Sequence, residues 1–240
     1  MGLRIGVGWL ARTAEEGDLE ELELLREPFD ALNAVLAEAG MAPHDEPIEI
    51  DDAQILEYQM WGYGGLHAIR RLAAHREIEG RLPPPGRYED YAGDPIIAKL
   101  TQAHLDWLNG ARPGLLSRLF GGGSRPPRFG HLLFHSDCEG FYLPRDFDPV
   151  VFDGGNPQRE GLGGMIGSAP RLLDECVELA EAIGLPLDLD PEDAVLWEHA
   201  ETPATVGETW QTYGVEAFGL ARLIAVCRAS IASGSVVSFG

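Results

Sequence analysis

Within the run GHLLFHSDCEGFYLP at 130–144, two histidines, an aspartate, a cysteine and a glutamate fall inside nine residues, flanked by apolar stretches. His131, His135 and Asp137, completed by Cys138 or Glu139, are ligand types that zinc accepts, and an open position on the ion would activate water for hydrolysis. Cys138 with His131 or His135 as its base, and Asp137 or Glu139 orienting the imidazole, would make a thiol nucleophile. The thiol's free pKa suits that role, but the adjoining carboxylates oppose a second negative charge. A third role is structural. His131 and His135 would tie strand ends to loops, Ser136 and Asp137 would accept backbone N–H groups, Gly140 would permit the turn, and Phe141, Tyr142 and Leu143 would divide between core and surface.

The backbone that carries these groups decides among the three. One helical turn would bring His131 and His135 to one ion, but the glycines and the aromatic alternation predict a strand at 132–134, a turn at SDCEG and a strand in FYLP. On a strand the two imidazoles would share a face about 13 Å apart, too far for a single ion. The structural role is therefore expected: the segment holds a loop at the edge of a sheet, and His131, His135, Asp137, Cys138, Glu139 and Tyr142 are its candidate functional residues. Zinc on His131, His135 and Asp137, with Glu139 or His199 joining, is the alternative; otherwise no cofactor is expected.

The elements around the segment follow from periodicity. Leu3, Ile5, Val7 and Trp9 alternate as in a strand with one apolar face, and the adjacent GVG lacks the later glycine of a dinucleotide fingerprint. Leu22, Leu25, Phe29, Leu32 and Leu36 mark a helix over 18–39, with a break expected near Arg26 because of Pro28, and a stop at Gly40. The connector 41–52 places His44 in an exposed loop. Helices are predicted over 64–79 and 95–108, and an edge strand over 149–152. Ser168 is an N-cap with Pro170 in the first turn of a helix that Gly184 ends, and 215–231 is a buried helix. Together these predict an α+β fold, a helix-rich single globular unit with a small mixed or antiparallel sheet. The arginine-bearing stretch 110–128, rich in Gly and Pro, is expected to be a flexible insertion.

Charge is the strongest global signal: 39 acidic against 18 basic residues give a formal net charge of −21. A phosphate backbone would be repelled, which excludes general nucleic-acid binding, whereas a basic protein would be attracted. From Asp174 to Glu216 there are twelve acidic residues and no Arg or Lys. Asp174, Glu175, Glu178 and Glu181 fall mainly on the wet side of their helix and are the candidate partner surface. Three widely spaced cysteines form no disulfide framework, no apolar run is long enough to span a membrane, and the first residues lack a secretory signature, so a cytoplasmic protein is expected.

The HSDCEGFYLP segment resembles segments in a family of uncharacterised bacterial proteins of comparable size, and the likeness extends into the helix start GSAPRLL. Small acidic bacterial proteins of this general kind include immunity and antitoxin partners of basic toxins. With the charge, the resemblance implies a non-catalytic, acidic protein-binding module, immunity-like toward a basic protein. A metal-dependent hydrolase centred on 131–139 is one alternative. Another is a self-associating structural protein, a homo-oligomer in which 110–128 of one copy docks on the acidic helices of the next.

Overall fold

The computed structural model describes residues 3–86, 89, 91–110, 128–155, 159 and 161–240. Its strands are β1 (Arg4–Val7), β2 (Leu56–Gln59), β3 (Gly140–Leu143), β4 (Val151–Phe152), β5 (Met165–Ser168) and β6 (Val237–Phe239). They form one sheet in the order β2-β1-β6-β3-β5-β4, with β3 and β5 parallel and the other neighbours antiparallel. The helices are α1 (Trp9–Glu16), α2 (Leu19–Glu38), α3 (Gly62–Ile78), α4 (Pro95–Gly110), α5 (Gly130–Leu133), α6 (Ala169–Ile183), α7 (Ala194–Glu201), α8 (Thr209–Thr212) and α9 (Gly214–Ser233). The expected helix-rich α+β unit with a mixed sheet is what the chain forms.

Alternation along the strands sorts side chains to two faces. Ile5, Val7, Tyr142, Val237 and Phe239 face a core built with α3, α6 and α9. Phe141, Leu143, Ile166 and Val236 face the other side, where Leu32, Val35 and Leu36 of α2 cover them. Helix α9 is buried on nearly all sides, as its apolar sequence predicts. Tyr142 crosses from β3 onto Gly167 of β5, where an added Cβ would sit 2.2 Å from the ring. Only glycine leaves room for the tyrosine there.

Local signals place the helix ends. The Asp18 carboxylate accepts the N–H of Glu21 at 3.0 Å, a cap that stabilises α2 by about 1 kcal/mol. Ser168 caps α6 in the same way through Arg171, and Gly184 ends it in the left-handed region at φ 74°. Pro28 does not break α2. The carbonyl it leaves unbonded belongs to Leu24, at an exposed position where water can take it. His44 is buried rather than exposed: its backbone is paired in both directions with the Asn33 side chain, and its Nε2 lies 2.6 Å from the Glu46 carboxylate.

The largest departure lies at the segment singled out above. Residues 130–133 form a helical turn, so the strand predicted at 132–134 and the hairpin built on it are absent. A three-residue apolar run fits either state, and the tertiary bonds at this turn select helix. Nor does the segment end at the sheet edge, because β3 is an interior strand with all four residues buried. The true edge at this end is β4, within the predicted 149–152 strand. Of the predicted insertion 110–128, only Gly110 and Arg128 are described; residues 111–127, including Arg112, Arg118 and Arg125, lie outside the described residues. Among the described residues no helix is long and apolar enough to cross a membrane.

Candidate functional site

Two elements clamp the 131–139 segment. From α6, the Glu175 carboxylate accepts the N–H groups of His131 at 3.0 Å and Leu132 at 2.8 Å, serving donors that a helix start leaves free. Burial pushes the Glu175 pKa up to about 8, against the pull of those two bonds. From α3, Arg70 donates through Nε to the carbonyl of Leu132 at 3.0 Å, to the carbonyl of His135, and to the carboxylate of Asp137. His67, one turn earlier on α3, lies with Nε2 3.1 Å from the other Asp137 oxygen. The hydrogen bond from His67 and the charge of Arg70 hold Asp137 well below the usual carboxylate range.

Both histidines turn inward. His131 accepts the backbone N–H of Ser168 on Nδ1 at 3.0 Å, and its Nε2 has no hydrogen-bond partner among the described residues, with Asp148 3.9 Å away. His135 donates from Nδ1 to the carbonyl of Ser136 and lies stacked on Tyr142, ring centres 4.8 Å apart, with Phe239 at 4.0 Å. Its Nε2 is buried without a hydrogen-bond partner among the described residues, and a Cβ on Gly140 would come within 3.0 Å of it. Burial depresses the pKa of His131 to about 4 and that of His135 to about 3, so both are neutral near pH 7. The phenol of Tyr142 donates to the carbonyl of His131 at 2.7 Å inside the core, which removes it from any accessible site.

These contacts separate the candidate residues. His131 cannot offer a metal a lone pair on Nε2 while Nδ1 accepts an N–H, because the neutral ring then carries its proton on Nε2. His135 has a lone pair there, but the atom is buried from solvent. Asp137 is committed to α3, and His199 packs edge-on against Trp210 with centres 5.5 Å apart. Among the described residues no group of three or more His, Cys, Asp or Glu is placed to hold an ion. Cys138 and Glu139 are exposed, and the thiol's hydrogen-bond neighbour is Ser136 Oγ at 3.4 Å, not an imidazole. Cys176 and Cys227 are buried. The segment is thus a structural latch whose anchors, Arg70 and Glu175, lie outside it. Sequence separation hides both.

The candidate partner surface on α6 also divides. Asp174 and Glu181 are exposed, but Glu175 points inward to the latch. Glu178 forms an ion pair with Arg128, whose Nε also meets Glu77 at 2.7 Å. One arginine of the predicted insertion therefore meets acids of its own chain. Further along, Asp188, Asp190, Glu192, Asp193 and Glu198 are exposed and have no ion-pair partner among the described residues.

A second acidic surface lies on α1 and α2. From Glu15 to Asp30 the chain has eight acids and one base, Arg26. Glu20, Glu23, Glu27 and Asp30, spaced three or four apart, form a row on the face of α2 opposite its buried leucines. All four are exposed and lack an ion-pair partner among the described residues. At a rise of about 1.5 Å per residue the row covers about 15 Å, close to one charge per 5 Å, against about 3.4 Å per phosphate on one DNA strand. Their spacing is legible in the sequence, but the base-free second half is the stronger charge signal there.

Residues 1–239 match the family described as "Putative DNA-mimic protein". No curated protein and no solved structure matches the chain.

Proposed function

The chain belongs to this DNA-mimic family, and from that premise we propose that it captures a basic DNA-binding protein by presenting carboxylates where that protein expects phosphates. The observation that carries the reading is the row Glu20, Glu23, Glu27 and Asp30 on α2. A helix packed on a sheet holds its charges in fixed register, so little ordering is needed on binding. Because the four carboxylates lack ion pairs within the described chain, a partner's lysines and arginines have no internal pair to displace. The exposed acids at 188–198 extend the same sign over a second face. Where the partner is toxic, its capture is the immunity-like case expected from charge.

Binding of this kind is electrostatic, accelerates encounter and weakens steeply with salt. The test takes bacterial proteins that a duplex-DNA column retains and passes them over the immobilised chain. The reading expects a subset to bind at low salt and to be eluted by free duplex DNA. Retention indifferent to duplex DNA and to ionic strength would overturn it.

A further inference from the structure

An open-sided cavity of about 300 Å³ lies between α2 and the sheet, walled by Trp9, Leu25, Pro28, Phe29, Phe141 and Val236. We propose that this slot seats an apolar side chain of the basic partner, beside the exposed carboxylates of Glu21 and Glu139; the proposal rests on the capture reading above. A mimic held by charge alone would bind every cationic surface, and stable interfaces add an apolar anchor in a pocket.

Three observations point to such an occupant. The Trp9 indole lines the slot, with its Nε1 turned against Gly6. Glu21, Leu25 and Pro28 follow at i, i+4 and i+7 on one stripe of α2, which sets an exposed carboxylate beside two residues of the slot wall. Glu139 is also exposed, lines the cavity and, like Glu21, has no ion-pair partner among the described residues. The matching chemistry is an aromatic or aliphatic side chain flanked by lysine or arginine. A second copy of this chain carries the same charge of −21 and is repelled.

Two charge-matched probe peptides, KRFKR and KRAKR with blocked ends, test this against the full-length chain. The phenylalanine peptide is expected to bind about tenfold more tightly than the alanine peptide. It should also shift the indole N–H resonance of Trp9, identified among the five tryptophans by Trp9→Phe. Leu25→Trp, which fills the slot, should erase the tenfold advantage and leave the alanine peptide's binding unchanged. Leu25→Ala, which strips the wall, should reduce the advantage if the larger residue prevents folding. Equal, salt-sensitive binding of both peptides with an unmoved Trp9 resonance overturns the slot while leaving electrostatic capture in place. Failure of both peptides to bind at low salt overturns the two together. A Trp9 resonance that moves with protein concentration alone assigns the slot to a second copy and also overturns the proposal.

Discussion

The backbone N–H of Ser168 meets Nδ1 of His131 at 3.0 Å, and this bond fixes the imidazole's proton on Nε2. This hydrogen bond ties the helical turn of α5 to the cap of α6 and holds the His131 ring in the core. The ring is a neutral donor, unavailable as a base or a ligand. A predicted consequence is that zinc added to the metal-free protein in equimolar amount leaves its melting temperature unchanged, whereas stabilisation that disappears in His131→Ala would contradict the tautomer.

Acid should destabilise the fold through the same residues. His131 and His135 have folded pKa values of about 4 and about 3, below the ordinary value of 6.5, so the unfolded chain takes up their protons first. Their contribution is complete above about pH 6.5 and is lost as pH falls toward 4. Asp137, held low by His67 and Arg70, adds a loss below about pH 4. In thermal melts His131→Gln removes one histidine from this balance, so its melting temperature should rise relative to the native chain as pH falls from 6.5 to 4.5.

The alkaline side has the opposite sign. Burial raises Glu175 to about 8 and Glu216 to about 7, from 4.5, so the folded state holds protons that the unfolded state has released. Their contribution is present below about pH 4.5 and is lost as pH rises through 7 to 8. Between pH 4.5 and 6.5 the histidines and these two acids oppose one another, and melting temperature should change little there. Above pH 6.5 it should fall, and Glu175→Gln should lessen the fall.

Arg70→Met should loosen the latch. The change leaves the carbonyls of Leu132 and His135 and the carboxylate of Asp137 without their cation, a loss of about 3 kcal/mol. Hydrogen exchange should accelerate at 131–139 ahead of β1 and β6. Uniform exchange across the sheet and the segment would show that Arg70 does not hold it.

How much of this could be read in advance depended on the range of the interaction. The Asp18 region, the Ser168 cap and the apolar face of α9 are local, and periodicity found them. Pro28 misled because helix termination depends on whether water can serve the freed carbonyl, which sequence does not state. The contacts of His131 and His135 are less local: they are made with Ser168, Ser136, Tyr142 and Phe239, and Ser168 and Phe239 join the segment only through the fold. The row on α2 was legible from spacing alone, yet it gains meaning only when all four acids prove exposed and unpaired among the described residues.

Self-repulsion is a further consequence of that row. With a net charge of −21 and runs of carboxylates unpaired among the described residues, raising sodium chloride from about 10 to about 200 mM shortens the screening length from about 30 Å to below 10 Å and should raise the melting temperature by about 5 °C. Replacing Glu20, Glu23, Glu27 and Asp30 by Gln and Asn should reduce the salt response. A melting temperature insensitive to salt would show that the carboxylates do not repel one another appreciably.

The central claim is that α2 presents carboxylates in place of phosphates, and the most direct measurement is displacement of labelled duplex DNA from a captured DNA-binding protein. The native chain should displace the duplex at low salt, and its apparent affinity should fall by at least tenfold between about 50 and 200 mM salt. The fourfold neutralised variant should displace it at least tenfold less well, while keeping the native fold by circular dichroism. Equal displacement by the native and neutralised chains would contradict the account.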